Sequence, residues 1–132
     1  ENFIRLRQEN VKFWEEFLSK HSSYFTIHKE KPNTRHVWYG YPITVNPNEK
    51  FTRNDLVKFL ESKNIETRPI MAGNMAEQPS MKHIKHRVLD VPNSRFVMRN
   101  SLFLPNHHMI RSQEREYMAQ CIDDFLKSKQ AI

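Results

Sequence analysis

The residues with the most chemical potential in this 132-residue chain are seven histidines, one cysteine and a short loop carrying an arginine and two amides. His83 and His86 lie three apart, and His107 and His108 are adjacent. Zinc takes four nitrogen or sulfur ligands at tetrahedral spacing, often with several cysteines among them. Adjacent histidines on a regular element point in different directions and rarely share an ion. No metal site is therefore expected, and the histidines read as surface groups in polar loops. Cys121 is followed by Asp123 and Asp124, whose charges disfavour a thiolate, so it reads as a buried structural cysteine rather than a nucleophile.

The most unusual stretch is Glu66-Thr67-Arg68-Pro69-Ile70-Met71-Ala72-Gly73-Asn74-Met75-Ala76-Glu77-Gln78-Pro79. Here an extended segment runs into a small-residue loop, and loops on strand ends carry binding groups on a rigid base. Arg68 has the planar fork that grips anions. Gly73 allows close backbone approach, and Asn74 can both donate and accept. From the residues alone, an ordinary turn with a surface arginine is the better reading of the stretch. The other charged feature is Lys82-His83-Ile84-Lys85-His86-Arg87, which could face a phosphate backbone, with Trp38, Tyr39 and Tyr41 available to stack on bases. Those aromatics share a segment with Ile43 and Val45, however, where core packing is the usual reason for them. No RNP, KH or helix-turn-helix signature accompanies them.

The net charge of +6 favours an anionic partner, whether nucleic acid, nucleotide or phosphorylated metabolite, but a lysine-rich solvated surface gives the same number. The length fits one domain, and 38% hydrophobic residues can build one modest core. A lone cysteine excludes an internal disulfide framework and makes the cytoplasm the default compartment. No apolar run approaches the roughly 20 residues of a membrane span. Only Gly40 and Gly73 are glycines. Phosphate-cradling loops need several, so no GxGxxG or Walker-type loop can be built.

These groups must be positioned by a small set of elements. Phe3, Leu6, Phe13, Trp14, Phe17 and Leu18 recur at helical spacing over residues 3–20, and the chain starts almost inside that helix, the pattern of a domain cut from a longer protein. A short extended piece is expected at 24–27 and a strand over 37–45, where Pro42 demands an edge or a bulge. Thr52, with Asp55 three residues on, caps a helix ending near Lys63-Asn64. A second strand is read over 65–71 and a helical turn over 81–86. Phe96 and Met98, then Ser101 to Leu104, read as extended. Ser112 caps a last helix to about Lys129, with Tyr117, Met118, Cys121, Ile122, Phe125 and Leu126 facing inward. The order suggests an α+β fold, a small antiparallel or mixed sheet packed against helices on one face.

In their order and spacing, several of these segments resemble the C-terminal part of the DegT/DnrJ/StrS sugar aminotransferase family. They are Arg35-His36-Val37-Trp38-Tyr39-Gly40-Tyr41-Pro42-Ile43, Phe51-Thr52-Arg53, Thr67-Arg68-Pro69-Ile70-Met71-Ala72-Gly73-Asn74, Gln78-Pro79 and Asn100-Ser101-Leu102-Phe103-Leu104-Pro105-Asn106-His107. The branch most resembled is the lipopolysaccharide-sugar 3-dehydratases, which act on CDP- or GDP-4-keto-6-deoxyhexoses. The opening Glu1-Asn2-Phe3 resembles that family's linker helix, giving 1–20 as linker and 1–132 as one small domain.

The resemblance implies a fold-type I enzyme dependent on pyridoxal phosphate (PLP) or pyridoxamine phosphate (PMP). Its cofactor-anchoring residues would lie in a large domain outside these residues, and it would work as a homodimer. By the same resemblance this domain carries no catalytic residue, and Arg68, Gly73, Asn74, Trp38, Tyr39 and His107 are its substrate-contacting residues. Residues 101–108 depart from the wording of the dehydratase branch, leaving 3-dehydration and transamination both open. The isolated chain is expected to bind no cofactor and to be inactive. The alternative is a stand-alone basic module for an anionic ligand such as RNA.

Overall fold

The structure, a computed structural model, describes residues 1–132. Helix α1 (Asn2–Ser19) leads into strand β1 (Phe25–Ile27), strand β2 (Tyr41–Val45) and helix α2 (Arg53–Ser62). Strand β3 (Arg68–Pro69) follows, then two 3₁₀ turns at Met75–Glu77 and Pro79–His83. Helix α3 (Pro92–Asn100), strand β4 (Ser101–Leu104) and helix α4 (Ser112–Ser128) complete the chain. The sheet is antiparallel throughout, in the order β1-β2-β4-β3. No helix is long and apolar enough to cross a membrane.

Side-chain alternation divides the sheet into two faces. Phe25, Tyr41, Ile43, Val45, Leu102 and Leu104 point into one core with Trp14 and Leu18 of α1, Leu56 and Leu60 of α2, and Ile122, Phe125 and Leu126 of α4. Trp14 stacks on Tyr41 at 6.3 Å between ring centroids, and Phe51 meets Phe125 edge-on at 4.9 Å. The other face carries Pro42, Thr44, Ser101 and Phe103. It is partly covered by α3, which packs on β2 and β4. Helices therefore lie on both faces rather than one.

Local chemistry explains the boundaries. The Thr52 hydroxyl accepts from the Asp55 N–H, and the Asp55 carboxylate accepts from the Thr52 N–H at 2.8 Å, a reciprocal cap at the start of α2. These bonds to Thr52 hold the Asp55 carboxyl below its ordinary range. Asn64 ends that helix at φ 59°. At the start of α4 the cap is Arg111, whose N–H donates to Glu114, and Ser112 is the first helical residue. Tyr117 is exposed rather than inward, donating its hydroxyl to the Lys63 carbonyl at 3.0 Å. Cys121 is free and buried.

Three strand expectations change. The strand expected over 37–45 begins only at Tyr41, because Trp38 adopts φ 56° and breaks the extended run. Pro42 sits on an internal strand, but β1 ends at Ile27 opposite Ile43, so Pro42 lies where only β4 remains as a neighbour. The strand expected over 65–71 shrinks to Arg68–Pro69, since Pro69 lacks a ladder donor and Met71 (φ 40°) and Gly73 (φ 62°) turn the chain away. Phe96 and Met98 are helical, not extended. Pro92 starts α3 at its first turn, and Ser94, Val97 and Met98 recur on its inner side at helical spacing.

Candidate functional site

The irregular segment before β2 and the loop after β3 meet beside the sheet. Gly40 packs against Phe103 of β4 so closely that an added Cβ would lie 3.0 Å from that ring. Tyr39, Gly40 and Phe103 thus form a wall, and a cleft opens on each side of it.

The first cleft, of about 200 Å³, is bordered by Arg7, Glu66, Arg68, Pro105, Asn106 and His107 besides the wall. Two guanidinium groups and an imidazole face one carboxylate there. Arg68 is exposed on the edge strand and pairs with Glu66. His107 follows β4 in a loop anchored by Asn106, whose buried amide donates to the Trp38 carbonyl at 2.8 Å. Such a cleft suits an anion bound through forked donors.

The second cleft, of about 400 Å³, is largely apolar, with Pro42, Ile70, Met71, Val97 and Phe103 among its lining residues. A polar chain crosses its floor. The His28 Nε2 lies 2.8 Å from the Thr44 hydroxyl, which lies 2.7 Å from that of Ser101. Burial holds the His28 pKa below its ordinary value. Because the folded-state pKa is depressed, the contribution of this group to stability is intact above the unfolded value of about 6.5 and declines as pH falls below it. The melting temperature should accordingly fall as pH drops below about 6.5, with a shallower slope for His28→Gln. Equal slopes would remove His28 as the source.

Of the six substrate-contact residues expected from the sequence, Tyr39, Arg68 and His107 converge on the first cleft. Gly73 borders a shallow extension of the second with Ile70, Met71 and Val97. Asn74 and Trp38 are placed differently. Asn74 is buried and caps the first 3₁₀ turn, accepting from the Ala76 N–H at 3.2 Å and donating to the Glu77 carboxylate at 3.0 Å. Trp38, 5% exposed, belongs to the core cluster, as does Tyr41. The loop is further fixed by Gln78, whose amide donates to the Ala72 carbonyl at 2.7 Å, and by Glu77, which pairs with Arg95 and Arg99 of α3. Arg7, His28 and Asn106 were not foreseen. They come from three distant segments, and only the fold brings them to the wall.

Of the three aromatics that could have stacked on bases, Tyr39 alone is exposed, at 75%. Lys82, Lys85 and Arg87 are solvent-exposed and border neither cleft. A multi-base platform is therefore not formed.

Residues 1–123 match the family model described as the DegT/DnrJ/EryC1/StrS aminotransferase family. The chain is 25% identical over 126 residues to the lipopolysaccharide biosynthesis protein RfbH of Salmonella typhimurium, covering 95% of this chain and 29% of that protein. It is 32% identical over 96 residues to the dTDP-4-dehydro-2,6-dideoxy-D-glucose 3-dehydratase of Saccharopolyspora spinosa, covering 72% of this chain and 21% of that one. Among solved structures, E. coli GDP-4-keto-6-deoxy-D-mannose-3-dehydratase with bound hydrated PLP superposes with a TM-score of 0.78 at 26% identity. That match covers 91% of this chain and 31% of the enzyme. The chain thus spans about a third or less of the relatives it matches.

Proposed function

The chain belongs to the DegT/DnrJ/EryC1/StrS aminotransferase family, and on that premise we propose that it is the C-terminal small domain of a cytoplasmic PLP- or PMP-dependent enzyme that modifies a nucleotide sugar. The reaction is 3-dehydration or transamination of a 4-keto-6-deoxyhexose carried on CDP or GDP, in deoxysugar or lipopolysaccharide synthesis, by a homodimer. Residues 1–20 serve as the linker helix. The observation that carries this reading is the cationic cleft, in which Arg68, Arg7 and His107 meet beside Tyr39 on a sheet shared with a solved 3-dehydratase.

PLP supplies an electron sink for chemistry on the sugar. The residues here do not fit that group. The Cβ sides of both glycines are filled, Gly40 by Phe103 and Gly73 by Met98, and two isolated glycines do not build the run of exposed N–H groups of a phosphate loop. The cations nearest Gly73 on α3, Arg95 and Arg99, are committed to Glu77. The work of this domain is therefore on the substrate side: it walls the cleft and orients the sugar nucleotide.

The test uses the whole polypeptide that carries this domain, supplied with PLP, glutamate and a CDP- or GDP-linked 4-keto-6-deoxyhexose. A 3-deoxy or amino-sugar product seen by mass spectrometry supports the reading, and unchanged substrate across the nucleotide series overturns it. Arg68→Ala should raise KM about tenfold with kcat nearly unchanged, as expected when a charge-assisted hydrogen bond made equally in ground and transition state is lost. Asn74→Ala should act through the loop and lower thermal stability as well. Kinetics unaltered in both variants would take these residues out of the site.

A further inference from the structure

We propose that the two clefts flanking the Tyr39–Gly40–Phe103 wall are the two halves of one nucleotide seat, the apolar cleft taking the flat heteroaromatic base and the cationic cleft the phosphates. This rests on the substrate class inferred above and adds which face of the domain holds which end of it.

The polarity of the clefts is divided as such a ligand requires. On the apolar side, Tyr39 is 75% and Met71 79% exposed, two large side chains left wet at a cavity of about 400 Å³. An aromatic and a thioether in that position favour a π-face between them. The floor below carries hydrogen-bonding groups as well. Once Thr44 is satisfied, His28 has a second ring nitrogen and Ser101 has spare hydroxyl capacity, enough to meet the polar edge of a ring. On the other side of the same wall, the guanidinium groups of Arg7 and Arg68 outnumber the Glu66 carboxylate around a cavity of about 200 Å³, with the His107 ring beside them. Guanidinium forks there match phosphate oxygens. A nucleoside diphosphate carries both features, a planar base and an anionic tail, joined through a ribose that would lie across Tyr39. A purely anionic metabolite would leave the apolar side empty, and an apolar ligand would leave Arg7 without an anionic partner, since Arg68 alone is paired with Glu66.

Isothermal titration on the whole polypeptide separates the halves. The probes are GDP, CDP and dTDP, their nucleosides, and inorganic pyrophosphate. Tyr39→Ala should weaken the tightest diphosphate and its nucleoside about tenfold, the loss of one stacking partner, and change pyrophosphate less than about twofold. Arg68→Gln should do the reverse, weakening the diphosphate and pyrophosphate about tenfold and sparing the nucleoside. Both side chains are exposed, so folding is preserved, and circular dichroism checks it. If Tyr39→Ala leaves every affinity unchanged, or weakens pyrophosphate as much as nucleoside, the division is wrong while the proposed activity stands. The same holds if Tyr39→Ala lowers the melting temperature and spares nucleotide binding, since the apolar cleft is then filled by the rest of the polypeptide. Absence of any nucleotide binding by the unaltered protein overturns the underlying reading too.

Discussion

Replacing Gly73 with alanine should destabilise the protein by about 2–5 kcal/mol and release the loop that follows β3. Two independent costs add at this position. Gly73 holds φ 62°, where an L-residue with a Cβ pays about 1–2 kcal/mol. An alanine Cβ would also lie 2.5 Å from the Met98 Cβ and 2.8 Å from its Cα. The latter atom is backbone of α3 and cannot rotate away, so the loop must move, at an overpacking cost of about 1–3 kcal/mol. Movement there breaks the bonds of Asn74 to Ala76 and Glu77 and of Gln78 to Ala72. Denaturant unfolding of the whole polypeptide should show the loss. Met98→Ala in the same chain should return only part of it, because the strained backbone and the clash with the main chain of α3 persist. A Gly73→Ala protein within about 0.5 kcal/mol of the parent would show that the loop is not pinned here.

The same loop shows what the sequence could and could not disclose. The reciprocal cap at Thr52 and Asp55, the left-handed Asn64 and the inward face of α4 depend on residues within a few positions of each other, so they were legible. Gly73 was legible as a place where the backbone comes close to something, and the residue its Cβ direction meets is Met98, 25 residues on. Asn74 and Gln78 have the residue types of a binding loop, yet their amides are spent on the loop's own backbone and on Glu77. Amide chemistry alone does not say which partner it meets. Trp38 read as a strand aromatic because its neighbours are β-branched. Its positive φ, held by the Trp38 N–H to the His36 ring at 2.8 Å and by Asn106 on its carbonyl, depends on a residue 68 positions away. Phe96 and Met98 alternate like a strand in a segment of only nine residues, too short for a helical period to stand out before Pro92 is recognised as a helix start.

The candidate site was half legible for the same reason. Arg68, His107 and Tyr39 were offered by the family resemblance rather than by residue type or spacing, and all three border the first cleft. Arg7 belongs to a helix whose pattern advertises only its apolar stripe. His28 lies in a polar stretch with no motif. His28 reaches the second cleft because β1 pairs with β2, and Arg7 reaches the first because the loop after β4 returns to α1, where the Asn106 amide donates to the Arg7 carbonyl. The wall itself depends on the absence of a Cβ at Gly40, which admits Phe103 from the neighbouring strand.

The second large effect lies in the core that holds this wall in place. Trp14→Ala should cost about 3–5 kcal/mol, a substantial share of the roughly 5–15 kcal/mol that stabilises a typical domain. Trp14 is fully buried, stacks on Tyr41 at 6.3 Å, and meets Phe13 and Phe17 edge-on at 5.2 and 6.0 Å. Its removal leaves a cavity between α1 and β2 that rigid neighbours cannot close. Trp14→Phe separates the terms. The indole N–H is buried without a hydrogen-bond partner, so phenylalanine gives up part of the ring contact but also deletes an orphaned donor worth about 1–3 kcal/mol. The phenylalanine protein should therefore lose less than half of what the alanine protein loses. Because Tyr41 begins the strand that follows the Tyr39–Gly40 turn, the alanine protein should also bind the nucleoside diphosphates more weakly, at a temperature where it remains folded. A phenylalanine protein that loses more than half of what the alanine protein loses would show that removing the orphaned donor returns little. Unchanged binding in the alanine protein would show that the wall is held from β4 alone.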